Sequence, residues 1–267
     1  MKMILMNRTL LVLSLLISLV IGGNVMAEES QPVLVFDSFE TDSKTAKKLR
    51  IIEKMSSSAS GQFTAKELQN LLARLPAAKE DVWIIDLRQE SHAFINGIPV
   101  SWYKRQNTGN INKTAEQISI EEQKLVQDLS SQTAIQVYTI KKLPAGEFVG
   151  DKPETIIPHN VQTENQLVTD LGANYQRFYV LDHNRPDDQE VDTYVEFIKS
   201  KVNNIAWLHF HCRGGKGRSS TFMAMYDMIR HAQHTSFDDI IKRQADMGNI
   251  KLDAMPTKAE KLWKTNT

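Results

Sequence analysis

The stretch His211-Cys212-Arg213-Gly214-Gly215-Lys216-Gly217-Arg218-Ser219 holds a cysteine and an arginine separated by five residues, between an apolar run and an amphipathic one. A loop with glycines at 214, 215 and 217 can turn successive backbone N–H groups inward. A helix that follows adds the positive end of its dipole, so the concavity suits a tetrahedral oxyanion. The same field favours thiolate over thiol, which makes Cys212 a nucleophile aimed at whatever phosphate the loop holds. Arg218 offers a planar fork for two phosphoryl oxygens and can follow the charge into the transition state. Ser219 can donate a hydrogen bond to the sulfur and help it leave afterwards. Arg213 and Lys216 put two further positive charges inside the loop, an arrangement that favours a polyanionic small molecule over a simple monoester. A lone cysteine is by default a buried, inert hydrophobe, and these neighbours reverse that default.

Thiolate attack on a phosphate monoester leaves an alkoxide that needs a proton, so a carboxyl group on another segment must reach the leaving oxygen. Asp182, in Leu181-Asp182-His183-Asn184-Arg185-Pro186, is the candidate, acting as acid first and as base in the hydrolysis of the phosphocysteine. Asp187 and Asp188, just ahead of a helical pattern, read as caps. The scheme requires no metal or other cofactor, and the sequence offers no convincing cluster of metal ligands.

These groups need elements to bring them together. Val82 to Asp86 is a continuous apolar run closed by a carboxylate, the pattern of a strand buried on both faces. Arg177 to Leu181 and Ile205 to Phe210 read as two more strands, the first ending at Asp182 and the second leading to Cys212. Helices are expected from Thr64-Ala65-Lys66-Glu67, a capping box, and over Glu121 to Leu129, from Thr163 to near Gly172, from Gln189 to Asn203 and from Ser219 to Ala232. Ser56 to Ser60 reads as a small-residue loop and Ala134 to Ile140 as a strand. Strands alternating with helices predict an α/β fold with a mostly parallel central sheet flanked by helices. Ligands in such sheets bind beyond the carboxyl ends of the strands, where Asp86, Asp182 and Cys212 all fall.

Composition agrees with a folded domain: 267 residues, 32 Lys+Arg against 32 Asp+Glu, 41% hydrophobic. A single cysteine allows no internal disulfide, so core burial must carry stability. Zero net charge gives no argument for a nucleic-acid partner. Lys2 and Arg8, the apolar run Leu10 to Ile21 and Val25-Met26-Ala27 read as a signal peptide over residues 1–27. The run is too short to span a bilayer. The expectation is therefore export, periplasmic or secreted, with no stable membrane anchor once the signal is cleaved, and a phosphatase domain over 28–267.

The chain resembles the cysteine-dependent, tyrosine-phosphatase-like inositol phosphatases of bacteria, the cysteine phytases. The resemblance rests on Asp86-Leu87-Arg88-Gln89-Glu90-Ser91-His92, Asn96-Gly97, Val100-Ser101-Trp102-Tyr103, Thr163-Glu164, Leu181-Asp182-His183 with Pro186, His211 to Met223, and Arg243-Gln244. It implies a tyrosine-phosphatase-like core with a small β-rich elaboration, placed within 107–161. It also implies myo-inositol hexakisphosphate as substrate, Asp182 as acid, Asp86 and His183 lining the pocket, and an Arg50 brought to bound phosphate by Lys47-Lys48-Leu49-Arg50. Members continue past the position of Thr267 into at least one more helix, so the C-terminal helix is expected to be truncated.

Other readings of the same residues are less specific. His211 is expected to pack behind the loop and hydrogen-bond its backbone, and His92 to satisfy a core hydrogen bond. Arg88 and Glu90 suit a structural ion pair as well as a substrate contact. A rhodanese-like sulfurtransferase normally lacks the full Cys-to-Arg-Ser arrangement. A phosphotyrosine or phosphoinositide phosphatase would keep the chemistry and change the substrate. An inactive polyphosphate-binding protein would keep the loop without turnover.

Overall fold

The computed structural model describes residues 31–38, 44–143, 146–150, 152–201 and 205–252. The signal expected over 1–27 and the expected C-terminal truncation fall outside the described residues.

In chain order the strands are β1 (Val33–Phe36), β2 (Arg50–Ile52), β3 (Ser57–Ser60), β4 (Val82–Asp86), β5 (His92–Ile95), β6 (Ile98–Tyr103), β7 (Ile135–Val137), β8 (Ile140–Leu143), β9 (Gly146–Val149), β10 (Glu154–Ile156), β11 (Val161–Gln162), β12 (Asn174–Arg177) and β13 (Trp207–His211). The helices are α1 (Ala65–Leu72), α2 (Ala115–Ser130), α3 (Glu164–Asp170), α4 (Asp188–Lys201), α5 (Gly217–His231) and α6 (Phe237–Gly248).

The central sheet runs β12-β4-β13-β3-β2, and each pair is parallel except β2 against β3. Its apolar strands carry residues that are buried on both faces, as helices on either side require. On one face Ile85, Leu208 and Phe210 pack with Tyr194 and Ile198 of α4 and Phe222, Met223 and Tyr226 of α5. On the other, Val82, Ile84 and Trp207 pack with Leu68, Leu71 and Leu72 of α1 and Leu167 and Val168 of α3. Each fully buried side chain of this size contributes about 1.5–3 kcal/mol, so the two layers hold β4 and β13 firmly side by side. Helix α6 joins α5 through Asp227, which accepts from Arg243 and Gln244.

A second sheet, antiparallel, runs β1-β6-β5-β11, with α2 over its apolar face through Val126 and Leu129. The small sheets β7–β10 and β8–β9 complete this part. It draws β1, β5 and β6 from outside 107–161, and within that range it carries α2, a helix of 16 residues.

Three local expectations are corrected. Ser57–Ser60 is a buried strand rather than a loop. Two of its serines are satisfied by the residues of β13 beside them: Ser58 Oγ accepts from Trp207 Nε1 at 2.9 Å and lies 2.8 Å from His209 Nδ1, and Ser60 Oγ lies 3.1 Å from His209 Nε2. The strand expected at Arg177 to Leu181 is shifted toward the N-terminus and ends at Arg177, so Asp182 stands on a loop five residues beyond it. Helix α2 starts at Ala115, ahead of the expected Glu121, because Thr114 and Gln117 form a capping box.

Candidate active site

The loop between β13 and α5 carries Cys212 at its floor, 3% exposed, with its Sγ 3.6 Å from Ser219 Oγ. Its rear rests on the end of β3. Gly215 has φ +68°, the left-handed region, and it backs against the chain at Ser60 and Gly61. Gln62 N donates to Arg213 O at 3.2 Å.

Arg50, the residue that the resemblance brings to bound phosphate, is engaged with the loop itself. Its Nη1 donates to Gly215 O at 2.9 Å and its Nη2 to Ser220 Oγ at 3.0 Å. Loop carbonyls face away from an amide-lined cradle, so Arg50 braces the loop from behind. Burial lowers the Arg50 guanidinium below its ordinary value, and the charge of Cys212 opposes that.

Arg218, on the first turn of α5, lies across the carboxyl ends of the sheet with its side chain 2% exposed. Nη1 and Nη2 reach the two oxygens of Glu90 at 2.7 and 2.9 Å, and Nη1 also donates to the carbonyls of Val180 and Leu87. Nη2 lies 3.0 Å from Asp182 Oδ1. The buried Nε has no hydrogen-bond partner among the described residues. Burial disfavours this charge, but Glu90, Asp182 and Cys212 outweigh it and hold the guanidinium well above its ordinary value.

Asp182 is anchored on three sides. Oδ1 accepts from His183 N at 3.0 Å and faces Arg218, while Oδ2 accepts from Asn107 Nδ2 at 2.6 Å. The His183 ring, 63% exposed, stands at the mouth with Nε2 3.8 Å from Asp182 Oδ2, and its backbone takes φ +61°. Cys212, Arg218, Ser219, Asp182 and His183 are thus brought together at one end of the sheet.

Asp86, expected to line the pocket, is 0% exposed. It accepts from Arg88 N at 2.9 Å and Tyr175 OH at 2.8 Å, and it pairs with Arg177 Nε at 3.1 Å. Both oxygens are spent inside the protein, so its role is support. His211 packs behind the loop against Phe63, as expected, but its imidazole makes no hydrogen bond to the loop backbone. Its Nε2 instead lies 2.6 Å from Glu164 Oε1, an ion-pair contact that lacks hydrogen-bond geometry. Of the loop cations, Lys216 is exposed, whereas Arg213 Nε is held 2.8 Å from Asp37 and its guanidinium stacks over Tyr103.

Behind the loop lies a network that sequence reasoning did not assemble. Arg88 reaches Glu90 at 3.0 Å, Asp37 at 2.8 Å and Gln62 at 2.5 Å, so one guanidinium joins the partner of Arg218 to the partner of Arg213. Burial pushes the Glu90 carboxyl up, but Arg218 and Arg88 outweigh it and hold it well below the usual carboxylate range. Asp37 is lowered similarly, by Arg88 and Arg213 against burial. The sequence signal for Arg88 and Glu90 was a charged pair straight after a buried strand. Asp37 and Asn107 gave none.

A second buried group, His92 with Asp86 and Glu164, sits beneath. Burial and Arg88 pull the His92 imidazolium down, but Asp86 and Glu164 prevail and leave it above its ordinary value. Asp86, Glu164 and His211 have ligand-type atoms within 4.8 Å of one another. Asp86 is already engaged by Arg88, Tyr175 and Arg177, and Glu164 by Gln62, at 2.9 Å, and by His92 and His211.

Comparison with known proteins agrees with this architecture. A structure of the PTP-like myo-inositol phosphatase from Mitsuokella multacida, in complex with myo-inositol-(1,3,4,5)-tetrakisphosphate, superposes with TM-score 0.79 at 32% identity, covering 86% of this chain and 41% of that one. A PTP-like phytase from Bdellovibrio bacteriovorus superposes with TM-score 0.73 at 34% identity, over 88% of this chain and 84% of that one. Effector protein hopD2 of Pseudomonas syringae pv. tomato is 30% identical over 167 residues, 61% of this chain and 35% of that protein. The chain spans about a third of the length of the curated relatives it matches. The profile of the PTP-like phytase family, described as inositol hexakisphosphate, matches residues 85–230. This stretch holds the nucleophile loop, the Asp182 loop and Arg88–Glu90, and the chain belongs to the PTP-like phytase family.

Proposed function

We propose that this protein is a phosphatase that removes phosphates stepwise from myo-inositol hexakisphosphate through a phosphocysteine intermediate. The observation that carries the reading is the cluster at the mouth of the loop. Cys212 lies at its floor beside Ser219, Asp182 stands against Arg218, and Arg218 keeps a buried Nε donor with no partner among the described residues. Buried donors are almost always satisfied, and an oxyanion bound in the loop supplies the partner for this one.

In the first step the Cys212 thiolate attacks phosphorus in line and a P–S bond forms. The P–O bond to the inositol carbon breaks, and Asp182 in its acid form delivers its proton to the leaving oxygen. Arg218 and the loop amides carry the charge that builds on the equatorial oxygens. In the second step Asp182 takes a proton from water, whose oxygen attacks phosphorus. The P–S bond breaks as Ser219 donates to the departing sulfur, and inorganic phosphate leaves.

The substrate class is supported by charge placement in a chain of zero net charge: Lys216 is exposed in the loop, Arg213, paired with Asp37, flanks the nucleophile, and the exposed His183 lies beside Asp182. The ligand of the Mitsuokella structure, an inositol tetrakisphosphate, supports it. Export to the periplasm or medium remains part of this proposal through the expected signal over 1–27.

The test is phosphate release from inositol hexakisphosphate, with chelator present, by wild type, Cys212→Ser and Asp182→Asn. Wild type turns over, Cys212→Ser is inactive, and Asp182→Asn loses about 10²–10⁴-fold. Activity abolished by chelator, or retained by Cys212→Ser, contradicts the mechanism. Tight binding with no release by wild type supports the inactive binder instead.

A further inference from the structure

Asn107 lies 75 residues before Asp182 in sequence, outside every motif that pointed to the site, and its Nδ2 donates to Asp182 Oδ2 at 2.6 Å. It is 2% exposed, deeper than the carboxylate it holds, whose side chain is 21% exposed. The backbone is committed to this placement. Gln106 and Asn107 take φ +57° and +59° in succession, a left-handed pair that non-glycine residues rarely adopt and that clusters at functional sites. The segment is pinned on both sides. Asn107 N donates to Lys104 O at 2.7 Å, and Asn110 Nδ2 donates to Gln89 O and Ser91 Oγ, both at 2.9 Å. The bracket therefore ties the end of β6 to the residues flanking Glu90 and presents one amide to Asp182.

We propose that Asn107 is a positioning residue for the general acid. Resting on the function proposed above, it holds the Asp182 carboxyl where a leaving oxygen must meet it. The other oxygen, Oδ1, is fixed by His183 N and Arg218. Oδ2 is the oxygen on the Asn107 side, so the amide decides whether the carboxyl plane is locked or free to turn. Nδ2 donates to one lone pair of Oδ2, which leaves the other to carry the proton toward the leaving oxygen. A carboxylate at position 107 has no donor to give, and neither has an alanine.

Delivery of the proton needs hydrogen-bond reach, and small misplacement of a catalytic group costs up to about 10²-fold in rate. The discriminating variable is the leaving group. An inositol alkoxide needs the proton; a 4-nitrophenolate does not. At pH 7, Asn107→Ala and the isosteric Asn107→Asp are expected to lose about 10–100-fold in kcat on inositol hexakisphosphate and less than about 3-fold on 4-nitrophenyl phosphate. Asp182→Asn should show the same split, more steeply. Equal losses on both substrates, or wild-type kcat on inositol hexakisphosphate for Asn107→Asp, overturn the proposal. Failure of the underlying function is visible separately: Asp182→Asn then shows no split, or Cys212→Ser remains active.

Discussion

Replacing Gly215 by alanine should damage the site without touching any functional side chain. A Cβ built at Gly215 runs into Gly61 N and lies 2.7 Å from Ser60 C and 2.9 Å from Gly61 Cα. All three are backbone atoms at the end of a buried strand, so none can swing aside as a flexible side chain would. The left-handed φ of +68° adds a penalty of roughly 1–2 kcal/mol for any L-residue. Forced overpacking adds about 1–3 kcal/mol. The sum, about 2–5 kcal/mol, corresponds to a fall in Tm of about 4–20 °C for a domain of this size. Gly214 is the internal control, because its added Cβ meets nothing within 4 Å and its φ is not positive. Thermal unfolding followed by circular dichroism, with phosphate release on the same samples, reads both effects. Gly215→Ala is expected to melt well below wild type and lose turnover, while Gly214→Ala keeps wild-type stability. Equal Tm and turnover for Gly215→Ala and wild type would refute the close seating of the loop on β3.

Glu90→Gln removes the charge that meets both Nη atoms of Arg218 and the Nε of Arg88. Breaking a buried pair costs about 3–5 kcal/mol, so Tm should drop by roughly 6–20 °C and turnover with it. A variant that melts within 2–3 °C of wild type contradicts the bracing role assigned to Glu90. Stability should also depend on pH from two sides. Glu90, Glu164 and Asp37 have folded values below their ordinary ones, so their contribution is present above about pH 4 and lost as pH falls through the folded values. His92 is raised, so its contribution is full below about pH 6.5 and lost as pH climbs through the folded value. Tm measured from pH 2 to 9 should decline at both ends. His92→Gln should flatten the alkaline decline, and an unchanged alkaline slope in that variant would assign the effect elsewhere.

What the chain reveals by reading alone follows how locally each feature is encoded. The nucleophile, its serine and its arginine occupy eight consecutive residues, so the loop is legible in the order of the amino acids. Strand β4 is legible for a similar reason, its apolar run being uninterrupted and closed by Asp86. Strand β3 is not, because four small residues carry no hydrophobic pattern and two of them, Ser58 and Ser60, are held by His209 and Trp207 about 150 positions later. The positions of Asp86 and Arg50 can be anticipated, but not the direction in which their side chains are used. That depends on Tyr175 and Arg177 in one case and on Gly215 O and Ser220 in the other. Asp37, 176 residues from Arg213, and Asn107, 75 residues from Asp182, contribute through contacts that only the folded chain creates.

The central claim is that a covalent bond forms between phosphorus and the sulfur of Cys212. Acid quenching of wild-type protein during turnover of inositol hexakisphosphate, followed by mass spectrometry of the peptide containing residues 212–218, measures it directly. The expected result is a phosphoryl adduct on Cys212 that accumulates further in a Ser219→Ala variant, whose sulfur leaves more slowly. Full turnover with no adduct on Cys212, or with the adduct on another side chain, would contradict it.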